Sequence, residues 1–203
     1  DGGRFSAAST AGGAASYTLA STHAIQIGST AGTSISAVSG GTLTYDGVIS
    51  DKAGSTGSWA KQGSGTVSLG GSSSYTGGTA INNGKVLITT GNNRLPTGTV
   101  VSLGQSSSTN LGTLDLNGFN QQIAGLNSTT GTNSGTSTAA ATLTLGGADT
   151  YSYGDGSNAN SGIISGALSV VKDGTGTQIL GDTNSYTGTT TVNKGKLVIN
   201  GNI

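Results

Sequence analysis

Residues 61–88 (KQGSGTVSLGGSSSYTGGTAINNGKVLI) and 172–199 (KDGTGTQILGDTNSYTGTTTVNKGKLVI) align without a gap, 111 residues apart, with 15 of 28 positions identical. A chain that repeats a segment in this way is a stack of similar units. The identities include Gly63/Gly174, Gly65/Gly176, Leu69/Leu180, Tyr75/Tyr186, Asn82/Asn193 and Gly84/Gly195. These are turn and strand residues, and none is a catalytic group, so the repetition encodes architecture before chemistry. A GxIS piece precedes each copy, at Gly47-Val-Ile-Ser and Gly162-Ile-Ile-Ser. Only the spacer differs: it is four residues longer in the first copy, as a loop bulging from one corner would be. The repeat units therefore run over about 47–91 and 162–201.

With 38 Gly among 203 residues, an ordinary helical protein is excluded, because each Gly inside a helix costs about 1 kcal/mol. Disorder is disfavoured by the regular spacing of β-branched and aliphatic residues. A hydrophobic fraction of 32% is thin for a globular core of this length. A solenoid uses such residues economically, because the few aliphatics of each short rung stack on the rung below. The expected organisation is one solenoid segment over residues 1–203, a piece of a longer array.

Short alternating segments recur between Gly- or Asn-rich turns and predict strands at 24–27, 42–45, 66–69, 79–81, 86–88, 100–103, 113–116, 142–145, 177–180, 190–192 and 197–199. Essentially no helix is expected. Period-two alternation points Leu114 and Leu116 inward with Asp115 toward water, and Leu143 and Leu145 inward around Thr144. The same phase puts Val86, Ile88, Leu197 and Ile199 inside and leaves Leu87 and Val198 outside. Gln178 replaces Val67 of the earlier copy and points inward, where it requires hydrogen-bond partners or costs about 1–3 kcal/mol. The turns NNG at 82–84 and NKG at 193–195 place Gly where a left-handed backbone is cheap. Tight hairpins use similar residues, but strand lengths that match across the repeat favour parallel coils over a sandwich.

The residues Lys172-Asp-Gly-Thr-Gly-Thr, Asn184-Ser-Tyr-Thr-Gly-Thr-Thr-Thr-Val-Asn and Gly195-Lys-Leu-Val-Ile-Asn-Gly, with their partners at 61–90, resemble the passenger-associated transport repeat of bacterial surface proteins, also called the autotransporter-associated β-strand repeat. The linking segment Leu114-Asp-Leu-Asn-Gly-Phe-Asn-Gln-Gln-Ile-Ala-Gly-Leu is similar to the strand pair common between two such repeats. The resemblance covers residues 40–203. It implies an all-β fold, a right-handed single-stranded parallel β-helix, displayed outside the cell at the surface of a Gram-negative-type bacterium. It also implies a part in folding the passenger as it emerges from the outer membrane. Independently, each rung of a solenoid contacts only its neighbours, so folding can propagate along the chain.

Chemistry is sparse. Lys and Arg number eight against eight Asp, with no Glu and no run of like charge, so neither nucleic acid nor an anionic membrane is an expected partner. The absence of Cys fits a secreted bacterial surface protein. No apolar stretch approaches the roughly 18 residues of a membrane helix, so the segment is expected to be soluble and not to insert. Asp46 lies near Asp51 and Asp149 near Asp155, yet no carboxylates recur at rung spacing as a β-helical polysaccharide lyase or hydrolase requires. His23 is the sole histidine, in a strand-like THAIQI. The loop from Asp155 lacks the ligand pattern of a calcium site. Asn127-Ser-Thr is a chance glycosylation triplet, and Tyr75 and Tyr186 are read as corner staples rather than sugar platforms. Thr-x-Thr does not persist on every coil as an ice-binding face demands. No residue is assigned a catalytic, cofactor-binding or metal-binding role, and no cofactor is expected.

The expected function is a non-enzymatic structural or adhesive surface segment, a β-helix that supports secretion and display or forms part of a surface fibre. The alternative is a β-helical carbohydrate-active enzyme or polysaccharide-binding module. The expected partners are other copies of the chain, end to end or laterally, and host or matrix glycans.

Overall fold

The computed structural model describes residues 3–7, 16–29, 32–105, 110–128, 134–154 and 162–203. Gly-punctuated strands coil in one direction, visiting three faces in turn. The first turn is β1 (Arg4–Ala7), β2 (Ser16–Leu19) and β3 (Ile25–Ile27); the second is β4 (Ser34–Ala37), β5 (Thr42–Tyr45) and β6 (Ile49–Asp51). Next come β7 (Trp59–Gln62) and β8 (Thr66–Leu69), then β9 (Thr79–Ile81) and β10 (Gly84–Ile88). In these two turns the third face is completed by residues 73–74 and 93–95. They form a rung through backbone bonds such as Ser74 N–H to Ile49 O at 2.8 Å and Ser73 N–H to Arg94 O at 3.0 Å.

The fifth turn is β11 (Val100–Leu103), β12 (Gly112–Asp115) and β13 (Gln121–Ile123). It is followed by β14 (Gly125–Ser128) with the long β15 (Ser134–Leu145), and by β16 (Thr150–Tyr153) with the long β17 (Ile163–Lys172). β15 and β17 each turn a corner and serve two faces, through a register shift between Ser137 and Ala141. The last strands are β18 (Thr177–Leu180), β19 (Ser185–Tyr186), β20 (Thr190–Val192) and β21 (Lys196–Ile199).

Every strand pairing is parallel. Among the described residues there is no helix. The fold is a β-solenoid, as the sequence predicted. Ten predicted strands fall on observed ones, and the segment predicted at 142–145 is the end of the longer β15.

Inward columns stack along the axis. On the second face Leu43, Val67, Val86 and Leu114 are in register, all essentially without solvent exposure. Burial of each such side chain contributes about 1.5–3 kcal/mol. Val86, Ile88, Leu114, Leu116, Leu143 and Leu145 are buried as predicted, and Leu87 and Val198 are partly exposed. Leu197 and Ile199 point inward but are only partly buried, because among the described residues no strand pairs the far side of β21. The expectation that Asp115 faces water is wrong. It is 3% exposed, its Oδ2 2.9 Å from Lys85 Nζ and its Oδ1 accepting from Asn117 N–H at 3.1 Å. The neighbouring rung supplies a cation that covers an outward carboxylate.

The inward Gln178 finds its partners. Its amide accepts from Leu126 N–H at 3.0 Å and donates to Leu126 O at 2.8 Å and Ile179 O at 3.1 Å. These bonds satisfy Leu126 where the ladder breaks between β14 and β16. Side chains bridge the same seam, from Asn127 to Ser152 N–H and from Ser128 to Gly154 N–H. Gln121 repeats the device at Leu95.

The two repeat copies sit on different faces. β7 and β9 lie on the first face and β8 and β10 on the second. Their counterparts, the end of β17 with β20 and then β18 with β21, lie on the third and first. The copies are thus offset by one face of the coil.

Candidate functional site

The residues that carry chemistry gather at the corners of the repeat. Lys61 lies in an inward column between Ile35 and Ile81 and is fully buried. Its Nζ turns into the corner and donates to the carbonyls of Gln62 (2.9 Å), Gly63 (2.6 Å) and Asn83 (2.9 Å). Desolvation pushes its ammonium down to about 8. Lys172 repeats the arrangement, buried between Leu145 and Val192 with its Nζ donating to the Gly174 carbonyl. It too is lowered by desolvation, against the pull of Asp173. Among the described residues no carboxylate closes the Lys61 corner, and the carbonyl cage holds the charge. Both lysines stand in the repeated motif, but motif identity alone does not show that a lysine is inward. The only available signal is their alternation phase.

Glycines make the cage possible. Gly84 (φ +72°) and Gly195 (φ +66°) adopt the left-handed conformation expected of NNG and NKG. A Cβ on Gly84 would lie 2.4 Å from Gly65 O, and one on Gly195 2.3 Å from Gly174 O. The repeated glycines at 63/174 and 65/176 are the backbone that each of these turns packs against.

Tyr75 and Tyr186 staple corners as predicted. Tyr75 is buried, with its hydroxyl 2.5 Å from Thr79 Oγ1, which continues to Thr99 Oγ1 at 3.0 Å and Gly77 O. Trp59 packs edge-on against it with ring centroids 6.5 Å apart. Burial pushes the phenol up to about 12. Tyr186 makes the same bond to Thr190 Oγ1 at 2.6 Å. The sequence reading missed a second staple. The hydroxyl of Tyr45 donates to His23 O (2.6 Å) and meets Val48 O, and that of Tyr153 donates to Ile163 O (3.2 Å), one residue past the repeated Gly47 and Gly162. Both phenols are buried and raised by desolvation. The pair is hidden in sequence because seven extra residues separate Tyr153 from Gly162.

The acids do not converge. Asp46 and Asp149 are exposed turn residues. Asp51 is more than a solvated turn: it accepts from Gly57 N–H (2.7 Å) and from Thr76 N–H and Oγ1–H, which hold its carboxyl below the usual range. His23 sits exposed in the turn before β3 rather than within a strand. Among the described residues no three metal-ligating side chains cluster. The candidate calcium loop from Asp155 and the run after Ser128 lie outside the described residues, as does Thr129 of the glycosylation triplet. A hollow of about 420 Å³ is a shallow trough floored by outward small residues including Ala60, Ala80 and Ser102.

A family model, the passenger-associated-transport-repeat, matches residues 60–88 and 170–199, the two copies just described. An autotransporter adhesin, BmaC of Brucella suis biovar 1 (strain 1330), is 35% identical over 159 residues. That alignment takes in 77% of this chain and 4% of the relative's length. No solved structure matches significantly. The chain thus carries two copies of the passenger-associated-transport repeat, both folded into rungs of a single parallel coil.

Proposed function

We propose that this chain is a non-enzymatic stretch of a bacterial surface passenger, a β-helical rod that supports display of an adhesive protein and takes part in its adhesion. The observation that carries the reading is the pair of matched repeats, 60–88 and 170–199, each forming complete rungs of the same coil. The likeness to an adhesin autotransporter supports it. So does the shallow outer relief, in which acids are scattered and the polar interior is spent on lysine cages and tyrosine staples. Adhesion on such a rod uses broad flat faces rather than a cleft. Folding rung by rung from one end gives outward movement a direction without ATP, because each docked rung resists backsliding.

The test is to display residues 1–203 on a non-adherent bacterium by fusion to a translocating β-barrel, and to count cells retained on host-cell and polysaccharide-coated surfaces. Retention above the barrel alone is the expected result. Release of reducing or unsaturated sugars from a polysaccharide panel, abolished by an Asp substitution, would replace this reading with the carbohydrate-active enzyme.

A further inference from the structure

The repeat contains its own template for the strand edge at β21. β18 pairs with β21 in the register Thr177↔Lys196 to Leu180↔Ile199, the offset at which β8 pairs with β10, Thr66↔Lys85 to Leu69↔Ile88. The far side of β10 is covered by β12, through Gly84↔Gly112, Lys85↔Thr113, Val86↔Leu114 and Leu87↔Asp115. Among the described residues no strand pairs the far side of β21.

Five features fit β12 to its place. Gly84 N–H donates to Leu111 O at 2.8 Å. Gly112 is required because a Cβ there would lie 1.9 Å from Ile81 O. Leu114 lies in register with the buried Val86. Asp115 accepts from Lys85 at 2.9 Å. Asn117, in the left-handed region at φ +50°, donates to Ile88 O at 3.3 Å. The second copy presents the counterpart of every receiving group: Gly195, Val192, Leu197, Lys196 and Ile199. Lys196 is exposed, and Leu197 and Ile199 are half-covered.

We propose that the β21 edge is a docking surface for a parallel rung of the chemistry Gly-x-Leu-Asp-Leu-Asn-Gly. The leading Gly lies beside Gly195, the first Leu covers Leu197, and the carboxylate pairs with Lys196. Charge complementarity and continuity with the β10–β12 interface select this occupant. A second copy of the chain does not supply it, because its own Gly112–Asp115 is sandwiched between β10 and β15. The edge strands of a second copy's first turn, Arg4–Ala7, Ser16–Leu19 and Ile25–Ile27, carry no acid.

The test replaces residues 200–203 with a second copy of residues 89–128, since Thr89 follows Ile88 as Asn200 follows Ile199. Hydrogen exchange at the Gly195 amide is expected to slow by at least about tenfold relative to the unmodified chain, with Val86 unchanged. A scrambled segment should leave Gly195 fast. Exchanging the grafted Asp for Lys should remove most of the protection, and Lys196→Asp in that same chain should restore it. As a second measurement, a synthetic peptide of residues 96–119 added to the unmodified chain should slow the same amide in a saturable way. Unchanged Gly195 exchange in both graft and peptide experiments overturns the proposal, as does equal protection by the scrambled segment. Slow exchange with concentration-dependent self-association of the unmodified chain also overturns it, by placing a second copy on this edge.

Discussion

The first repeat copy lies in mid-coil with rungs on both sides, whereas the second ends in an edge strand, yet the same local bonds form in both. The Tyr–Thr hydroxyl pairs measure 2.5 and 2.6 Å, the turn glycines sit at φ +72° and +66°, and each lysine bonds the carbonyl two residues on. Burial does not repeat. Val86 and Ile88 are sealed while Leu197 and Ile199 are half-covered, and Tyr75 is buried while Tyr186 is partly exposed. Local sequence therefore sets the shape of a rung, and neighbouring rungs supply its hydrophobic stabilisation.

The sharpest way to break this contrast is the turn glycine. Val at either position meets a carbonyl about 1 Å too close and a backbone that β-branched residues avoid. Gly84→Val should cost about 4 kcal/mol or prevent folding, since rungs on both sides hold the turn. Gly195→Val should cost about 1–2 kcal/mol, because the terminal rung can peel away alone. Equal losses in urea denaturation would refute the division between shape and burial. On the displaying cell the same pair should slow secretion more than binding, Gly84→Val the more strongly.

The buried lysines sharpen the comparison through pH. Lys61 is held down to about 8 in the fold against 10.5 in the unfolded chain, so between those values the unfolded chain binds more protons. Stability should then rise with pH from about 8 toward 10, by roughly 1 kcal/mol per unit. Above pH 10 the trend reverses, because Tyr75, raised to about 12, stays protonated in the fold while its unfolded counterpart ionises. Denaturation of Lys61→Met should lose the rise between pH 8 and 10, and that of Lys172→Met should lose less. An unchanged slope in Lys61→Met would show that the cage does not hold a strained ammonium.

The smallest effect is at the staples. Tyr75→Phe removes one of the two hydroxyl partners of the buried Thr79, leaving it only Thr99, and should cost about 1 kcal/mol. Tyr186→Phe, which leaves a solvated Thr190, should cost under about 0.5 kcal/mol in the same thermal or urea titration.

The sequence made the coil legible because Gly and Asn punctuate alternating aliphatics, and it exposed the inward Gln178 through its phase. It hid β4 (SISA) and most of β15 (SGTSTAAATLTL), whose small residues lack hydrophobic contrast although β4 is buried throughout. A rung can be closed by neighbours that are themselves hydrophobic. The covered Asp115 escaped for a related reason, since alternation reports which face a side chain takes but not what the next rung lays over it. Lys61 and Lys172 escaped because lysine is ordinarily a surface residue. Only the carbonyls converging at a glycine corner make its burial tolerable.

The one-face offset between copies has a geometric consequence for a long passenger. Were further copies to recur at the same interval, each would be turned by roughly 120° about the fibre, and the fourth would regain the orientation of the first. Loops grown at a given corner of the unit would radiate in a threefold screw, so such a coil would have no single loop-bearing flank and would present the same relief from any side.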